Sequence, residues 1–214
     1  LKVKLMNYET EQEEFWSGEF GTAYIDRNKS EQLLASNISY LNTALKRAGK
    51  IASVIEFGAN IGMNLQALKV LYPGIVLNGI EINKAAAEAL AKNIGAEHVF
   101  GGSIYDWPEK TTCDLAFIKG VLIHINPDKL QNVYEKLYNS SNKYIMICEY
   151  YNPSPVMIPY RGHENRLFKR DFAGELLDKY SDLRIVDYGF LYHRDENFPQ
   201  DDLTWFLLRK SGSE

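Results

Sequence analysis

From residue 56 to residue 62 the chain reads Glu-Phe-Gly-Ala-Asn-Ile-Gly, an acid followed by a glycine-rich turn, and a second acid, Glu81, stands about twenty residues further on. Glycines at such a turn let the backbone reverse sharply and let a ligand approach without a Cβ in the way. Alone they could equally mark a plain strand-to-helix turn. An acid at that distance changes the reading, because it is where a side chain accepts hydrogen bonds from both hydroxyls of a ribose. A dinucleotide site favours Gly-x-Gly-x-x-Gly, whose second glycine admits a pyrophosphate. Here Asn60 takes that place and Glu56 precedes the turn, so the local charge repels a pyrophosphate and suits a ligand with an ammonium and a sulfonium. S-adenosylmethionine (SAM) fits better than NAD.

The elements that must hold these residues follow from the patterning after residue 50. Apolar runs at 51–57, 75–81, 98–101, 113–119 and 143–150 predict strands, and 62–71, 84–93 and 128–139 predict the helices between most of them, the last entered through Asn126-Pro127. Strands alternating with helices predict a parallel sheet. A helix at 170–180 is followed by two β-rich runs, 184–192 and 203–209, with only a polar turn between them. That connection is too short for a parallel crossover, so the two must pair antiparallel. The expectation is an α/β, doubly wound sheet of five parallel strands closed by an antiparallel hairpin, in the order 3-2-1-4-5-7-6. Before it lie a short acidic segment, 8–16, and a helix at 30–48 with Leu33, Leu34, Ile38, Leu41 and Leu45 at helical spacing.

Composition narrows the classes of partner. The 214 residues are 45% hydrophobic and 24% charged, with no linker-like stretch, which predicts one domain over 1–214: a helical cap at 1–48, a sheet core at 51–210 and an acceptor-side loop at 152–170. A net charge of −4 and the lack of basic runs argue against nucleic acid as a partner. No apolar run is long enough for a membrane span or a signal peptide. Cys113 and Cys148 both fall in apolar strands, which suits a reducing cytosol. The four histidines match no metal-ligand spacing, so no metal is expected. Oligomeric state is not legible.

Glu56-x-Gly58-x-Asn60-x-Gly62, followed by Glu81, resembles motif I of the class I SAM-dependent methyltransferases. The resemblance implies that the motif I backbone holds the methionine part of the cofactor and that Glu81, with Ile82 beside it, holds the ribose. Gly101 to Trp107 resembles the next family element, which assigns Ser103 and Ile104 to the adenine, with Asp106 either a contact or a turn residue. The segment from Asp114 to Pro127 resembles the one after the fourth strand, which places Lys119 and Gly120 along the cofactor through their backbone. His124 is a candidate general base, since an imidazole titrates in the useful range, or else a histidine bonded to backbone at a helix start.

Three further segments resemble the methyltransferases associated with pseudaminic acid biosynthesis: Phe15 to Asn28, Tyr160 to Phe172, and Asp201 to Phe206. That likeness implies a bacterial enzyme of a surface-sugar pathway with a small, sugar-like acceptor. Tyr24 and Arg27 could close over the SAM carboxylate, or belong to a packed surface loop. Tyr24 and His163 join His124 as candidate catalytic groups. Tyr151, Tyr160, Arg161, His163 and Arg166 are candidate acceptor contacts, because the basic residues between 160 and 170 would suit an anionic acceptor, unless they form a solvated basic turn. The rival functions are an NAD-dependent oxidoreductase and a catalytically silent SAM-binding protein.

Overall fold

A computed structural model describes residues 8–25, 30–160 and 162–212. Arg27 and Arg161 therefore lie outside the described residues, as do the side chains of His163, Glu164 and Asn165. The core is one seven-stranded sheet. In chain order its strands are β1 (Ser53–Phe57), β2 (Val76–Glu81), β3 (Val99–Gly101), β4 (Cys113–Lys119), β5 (Ser141–Glu149), β8 (Leu183–Phe190) and β9 (Thr204–Lys210). They lie in the order β3-β2-β1-β4-β5-β9-β8, parallel through β5 and antiparallel at β9 and β8. The last strand of the chain thus slots between β5 and β8.

The remaining two strands, β6 (Val156–Tyr160) and β7 (His163–Lys169), form a separate antiparallel hairpin. This corrects the expectation of a loop over 152–170. The apolar residues Val156, Ile158, Tyr160, Leu167 and Phe168 are interleaved with charges and a proline, which hides the alternation in sequence. The chain reverses at Gly162, whose φ of +83° is unstrained for glycine. The register shifts between Ile158 and Tyr160, at Pro159, which has no N–H for the ladder.

The helices are α1 (Glu11–Ser17), α2 (Glu19–Ile25), α3 (Glu31–Leu45), α4 (Met63–Leu71), α5 (Lys84–Ile94), α6 (Leu130–Asn139) and α7 (Phe172–Lys179). Strand alternation divides the core between two faces. Val54, Phe117 and Met146 pack on one face with Leu41 and Leu45 of α3 and Leu65 and Leu68 of α4. Their neighbours Ile55, Ile118 and Ile147 pack on the other with Val133 and Leu137 of α6 and Leu176 of α7. The short acidic segment at 8–16 carries α1, and a second short helix, α2, follows it at Glu19–Ile25. Thr10 and Glu13 form a reciprocal cap on α1, satisfying backbone donors that a short helix would otherwise leave open. Among the described residues no helix is long and apolar enough to cross a membrane.

Gly79, in the middle of β2, shows how tightly the sheet and helices are fitted. A Cβ there would meet Leu90 Cδ2 at 2.8 Å and Ala59 Cβ at 3.1 Å. Gly79→Ala should therefore destabilise the fold by about 1–3 kcal/mol through overpacking. Urea unfolding would read this as a lower midpoint with an unchanged slope.

Candidate active site

At the carboxyl end of β1 the chain enters the glycine turn, and the end of β2 pins it there. The amides of Gly58 and Ala59 both donate to the carbonyl of Ile80 at 2.9 Å, and the Asn60 amide donates to Glu81 Oε2 at 2.7 Å. Gly58, Asn60 and Gly62 all have positive φ. At Gly58 a Cβ would lie 2.5 Å from Val121 Cγ2, and at Gly62 it would lie 2.6 Å from Leu90 Cδ1. The first glycine thus admits the loop after β4, and the last lets α4 start against α5.

Glu81 is the clamp of this corner. Besides Asn60 it accepts the amide of Asn83 at 2.7 Å through Oε1, and burial raises its pKa against the lowering effect of those bonds. A carboxylate has about four acceptor positions, so two amides leave capacity for a ligand. Behind the turn, Glu56 is 1% exposed. Its Oε1 accepts Asn64 Nδ2 at 2.6 Å, and its Oε2 is buried without a partner. Burial pushes Glu56 up to about 8, with the Asn64 bond and Lys119 acting in the opposite sense. Tyr40 extends the chain by donating to Asn64 Oδ1 at 3.1 Å.

These residues edge a cleft of about 640 Å³ along the carboxyl ends of the parallel strands. Gly58, Asn60, Glu81, Ile82, Ser103, Ile104, Lys119, Gly120, Tyr24, His124 and Tyr160 all contribute to its wall. Glu56 and Gly62 stand behind the wall. Tyr151 does not line the cleft either: it is 43% exposed, with its ring 6.2 Å from Phe206. Arg166 also sits outside the wall. Its Nη1 pairs with Glu11 of α1 at 3.1 Å and its guanidinium lies 5.5 Å from the Phe15 ring centre. The basic residues of 160–170 are thus dispersed where they are described: Lys169 lies over the Tyr150 ring and Arg170 pairs with Glu175.

Sequence reasoning assigned Lys119 by its backbone, yet its side chain is also placed. Nζ donates to Gln200 Oε1 at 2.8 Å and Asn37 Oδ1 at 3.3 Å and lies 4.6 Å from the Tyr40 ring centre, and burial lowers its pKa. His124 has Nδ1 2.6 Å from the carbonyl of Arg166. A carbonyl only accepts, so Nδ1 carries the proton and Nε2 keeps the lone pair. Burial brings its pKa down to about 4, so the ring is neutral at physiological pH.

Glu149, Asn83 and Glu13 were not singled out from sequence. Glu149, at the end of β5, accepts the amides of Val121 and Leu122 at 2.9 Å and is pushed up to about 7 by burial. Its signal was an acid closing the apolar run Ile145 to Cys148. The Asn83 side chain caps α5 through Oδ1, and its Nδ2 reaches Thr22 Oγ1 at 3.1 Å and the carbonyls of Trp16, Ser17 and Gly18. Glu13 accepts the hydroxyl of Ser103. Nothing local in sequence reveals those two contacts, which join α1 and α2 to the strand ends.

The chain matches no family model and no curated protein. Solved structures match it in fold. Mitomycin 7-O-methyltransferase is 15% identical, with a TM-score of 0.66 over 94% of this chain; the chain spans 61% of that protein's length. The 1,6-didemethyltoxoflavin-N1-methyltransferase of Burkholderia thailandensis, solved with 1,6-didemethyltoxoflavin and S-adenosylhomocysteine, is 15% identical, with a TM-score of 0.67 over 90% of this chain and 86% of that one. Magnesium protoporphyrin IX methyltransferase from Synechocystis PCC 6803, solved with SAM, is 12% identical, with a TM-score of 0.64 over 96% of this chain and all of that one. The shared property is the fold.

The buried acids give the stability a defined pH dependence. With folded values of about 8 and about 7, Glu56 and Glu149 hold protons that the unfolded chain has released, so the stabilisation is full below the ordinary carboxyl value and is lost as pH rises through those values. His124 has the opposite sign: its contribution is full above the ordinary histidine value and is lost as pH falls through about 4. Between about pH 6.5 and 8.5 the acids therefore set the trend. Glu56→Gln, which keeps an acceptor for Asn64, should flatten the decline of unfolding free energy over that window in urea titrations. A decline identical to that of the parent chain would mean that Glu56 titrates as a solvated carboxyl.

Proposed function

We propose that the chain is a SAM-dependent methyltransferase acting on a nitrogen or oxygen of a small acceptor, the premise being the fold it shares with enzymes of that activity. The observation that carries the reading is the buried Glu56 oxygen without a partner, next to a turn clamped by Glu81. A carboxyl held near 8 in the core offers a pyrophosphate no positive charge, whereas a ligand's ammonium would favour its ionised form and pair with it. Asn60 in place of a glycine adds a side chain where a dinucleotide would need room. Both features weigh against an NAD-dependent oxidoreductase, and a complete cofactor corner weighs against a catalytically silent binding protein.

Glu81 and Ile82 would hold the ribose, the 58–60 backbone and Glu56 the methionine part, and Ile104 the adenine, beside a Ser103 already engaged by Glu13. Tyr24, in the cleft wall with its ring centre 5.4 Å from that of Trp16, would close over the cofactor from the cap. SAM brings an activated methyl and its own leaving group, so the chain's task is to align the two reactants and exclude water. His124 holds its proton at Nδ1 and offers a lone pair at Nε2, an acceptor for a hydrogen bond and a weak base at a pKa of about 4. The ring-containing acceptors named for the matched proteins agree with a small-molecule acceptor. The segments that resemble the pseudaminic acid-associated methylases imply a bacterial cytoplasmic enzyme of a surface-sugar pathway, a substrate class that the ring contacts of Trp16, His124 and Tyr160 do not single out. An anionic acceptor is less well supported, because Arg166 is committed to Glu11.

SAM and S-adenosylhomocysteine should bind by calorimetry while NAD does not. Glu81→Ala should weaken S-adenosylhomocysteine binding by about 1.5–3 kcal/mol, the scale of hydrogen bonds to a charged group. Comparable affinity for NAD, or an unchanged dissociation constant in folded Glu81→Ala, would reject the assignment. The helical cap should also respond: amides of 11–25 should gain protection from hydrogen exchange on adding S-adenosylhomocysteine, as expected of a closing lid. Exchange there that ignores the ligand would rule the lid out.

A further inference from the structure

Part of the cleft wall is built of rings. Trp16 of α1 lies 4.7 Å from His124 and 5.4 Å from Tyr24 between ring centres, and His124 lies 5.0 Å from Tyr160 on the β6–β7 hairpin. Tyr150 completes this part of the wall. Three separate regions of the chain thus bring flat apolar surface to one place, a construction that rewards a flat ligand by offset and edge-to-face contacts.

Charge narrows the class further. Among the described residues the whole wall carries the carboxylates of Glu13, Glu81 and Asp201 against one lysine, Lys119, which is already bonded to Asn37 and Gln200. His193, also in the wall, is paired with Asp202. Asp201, also in the wall, acts electrostatically on both Tyr150 and Lys119. An anion would meet net negative charge, whereas a positive charge would meet Asp201 and aromatic faces, both of which attract cations.

Proton chemistry supplies the third constraint. The His124 imidazole is held down at about 4, and burial raises the Tyr150 phenol above its ordinary value. Neither is a strong base near neutrality, so an acceptor that must first lose a proton is poorly served, and one with its own lone pair is well served.

Resting on the methyl-transfer reading above, we propose that the acceptor is a nitrogen heterocycle or arylamine without carboxylate or phosphate, seated on the ring wall of Trp16, His124 and Tyr160 with Asp201 at its edge. The acceptor nitrogen donates its lone pair to form the N–CH3 bond as the S–CH3 bond breaks. The breaking pair goes to sulfur, which leaves as the neutral thioether S-adenosylhomocysteine. Positive charge passes from sulfur to nitrogen beside Asp201 and the rings. A nitrogen that carried hydrogen then releases a proton to water, and a ring nitrogen without one stays cationic.

The test uses the full chain saturated with S-adenosylhomocysteine, whose own titration is read first. Benzimidazole, benzimidazole-5-carboxylate, glucuronate and 1,3-dimethylbenzimidazolium are then titrated calorimetrically. Benzimidazole should bind at least about tenfold tighter than its carboxylate, and glucuronate should not bind. Tyr160→Ala should weaken benzimidazole about three- to tenfold. Asp201→Asn should weaken the dimethylated cation several-fold more than benzimidazole, a difference that a merely structural role would not produce. If S-adenosylhomocysteine itself fails to bind, the methyl-donor reading falls and takes this inference with it. If it binds but the carboxylate or glucuronate is preferred, or neither benzimidazole nor the cation binds, the donor reading stands and the acceptor class is overturned.

Discussion

Burial of glutamates at the carboxyl edge of the parallel sheet is the constraint on which the rest depends. Glu56, Glu81 and Glu149 close β1, β2 and β5, and desolvation raises all three. A buried carboxyl is tolerable only where donors meet it, and here the donors come mainly from the loops that must be shaped. Glu81 takes the amides of Asn60 and Asn83, Glu149 those of Val121 and Leu122, and Glu56 the side chain of Asn64. The loops after β1, β2 and β4 are thereby fixed at the strand ends, and they edge the cleft. This is the crevice that open parallel sheets reserve for ligands.

The same edge holds the cap. Asn83 gives its amide to Glu81 and its side chain to the backbone around Trp16 to Gly18, so Glu81 and the cap share one residue. Ser103 and Glu13 join after β3, and Arg166 of β7 joins Glu11 of α1. Gly21 permits the close approach of α1 and α2, since a Cβ there would lie 1.8 Å from the Trp16 carbonyl oxygen. The cap is therefore fastened by the groups that shape the cleft, and its aromatic residues become part of the wall.

The hairpin of β6 and β7 turns a basic-looking segment into something else. Its residues reach partners in different directions: Arg166 to α1, Lys169 to the Tyr150 ring, Arg170 to Glu175. Tyr160 and the carbonyl of Arg166 are what the hairpin brings to the site, the first as wall and the second as the acceptor that fixes the His124 tautomer. A concentration of charge along the chain is not a concentration in space when a ribbon displays the residues to separate neighbours.

What the sequence by itself determined were the features written in local periodicity and short spacing. The alternation of apolar runs with helical stretches led to a doubly wound sheet, the short polar link before β9 required an antiparallel ending, and Glu56 to Gly62 with Glu81 marked the turn that is pinned to the end of β2, because turn geometry and strand length are local properties. Tertiary structure alone decided which polar groups meet across the chain. Glu13 finds Ser103, Asn83 finds the carbonyls after Trp16, His124 finds Arg166, and Lys119 finds Gln200. Each of those pairs joins distant segments, and no local pattern encodes a partner that depends on how the helices and hairpin settle on the sheet. The ring wall was illegible for the same reason: α1, the turn after β4 and β6 each supply part of it, and only folding makes one surface of them.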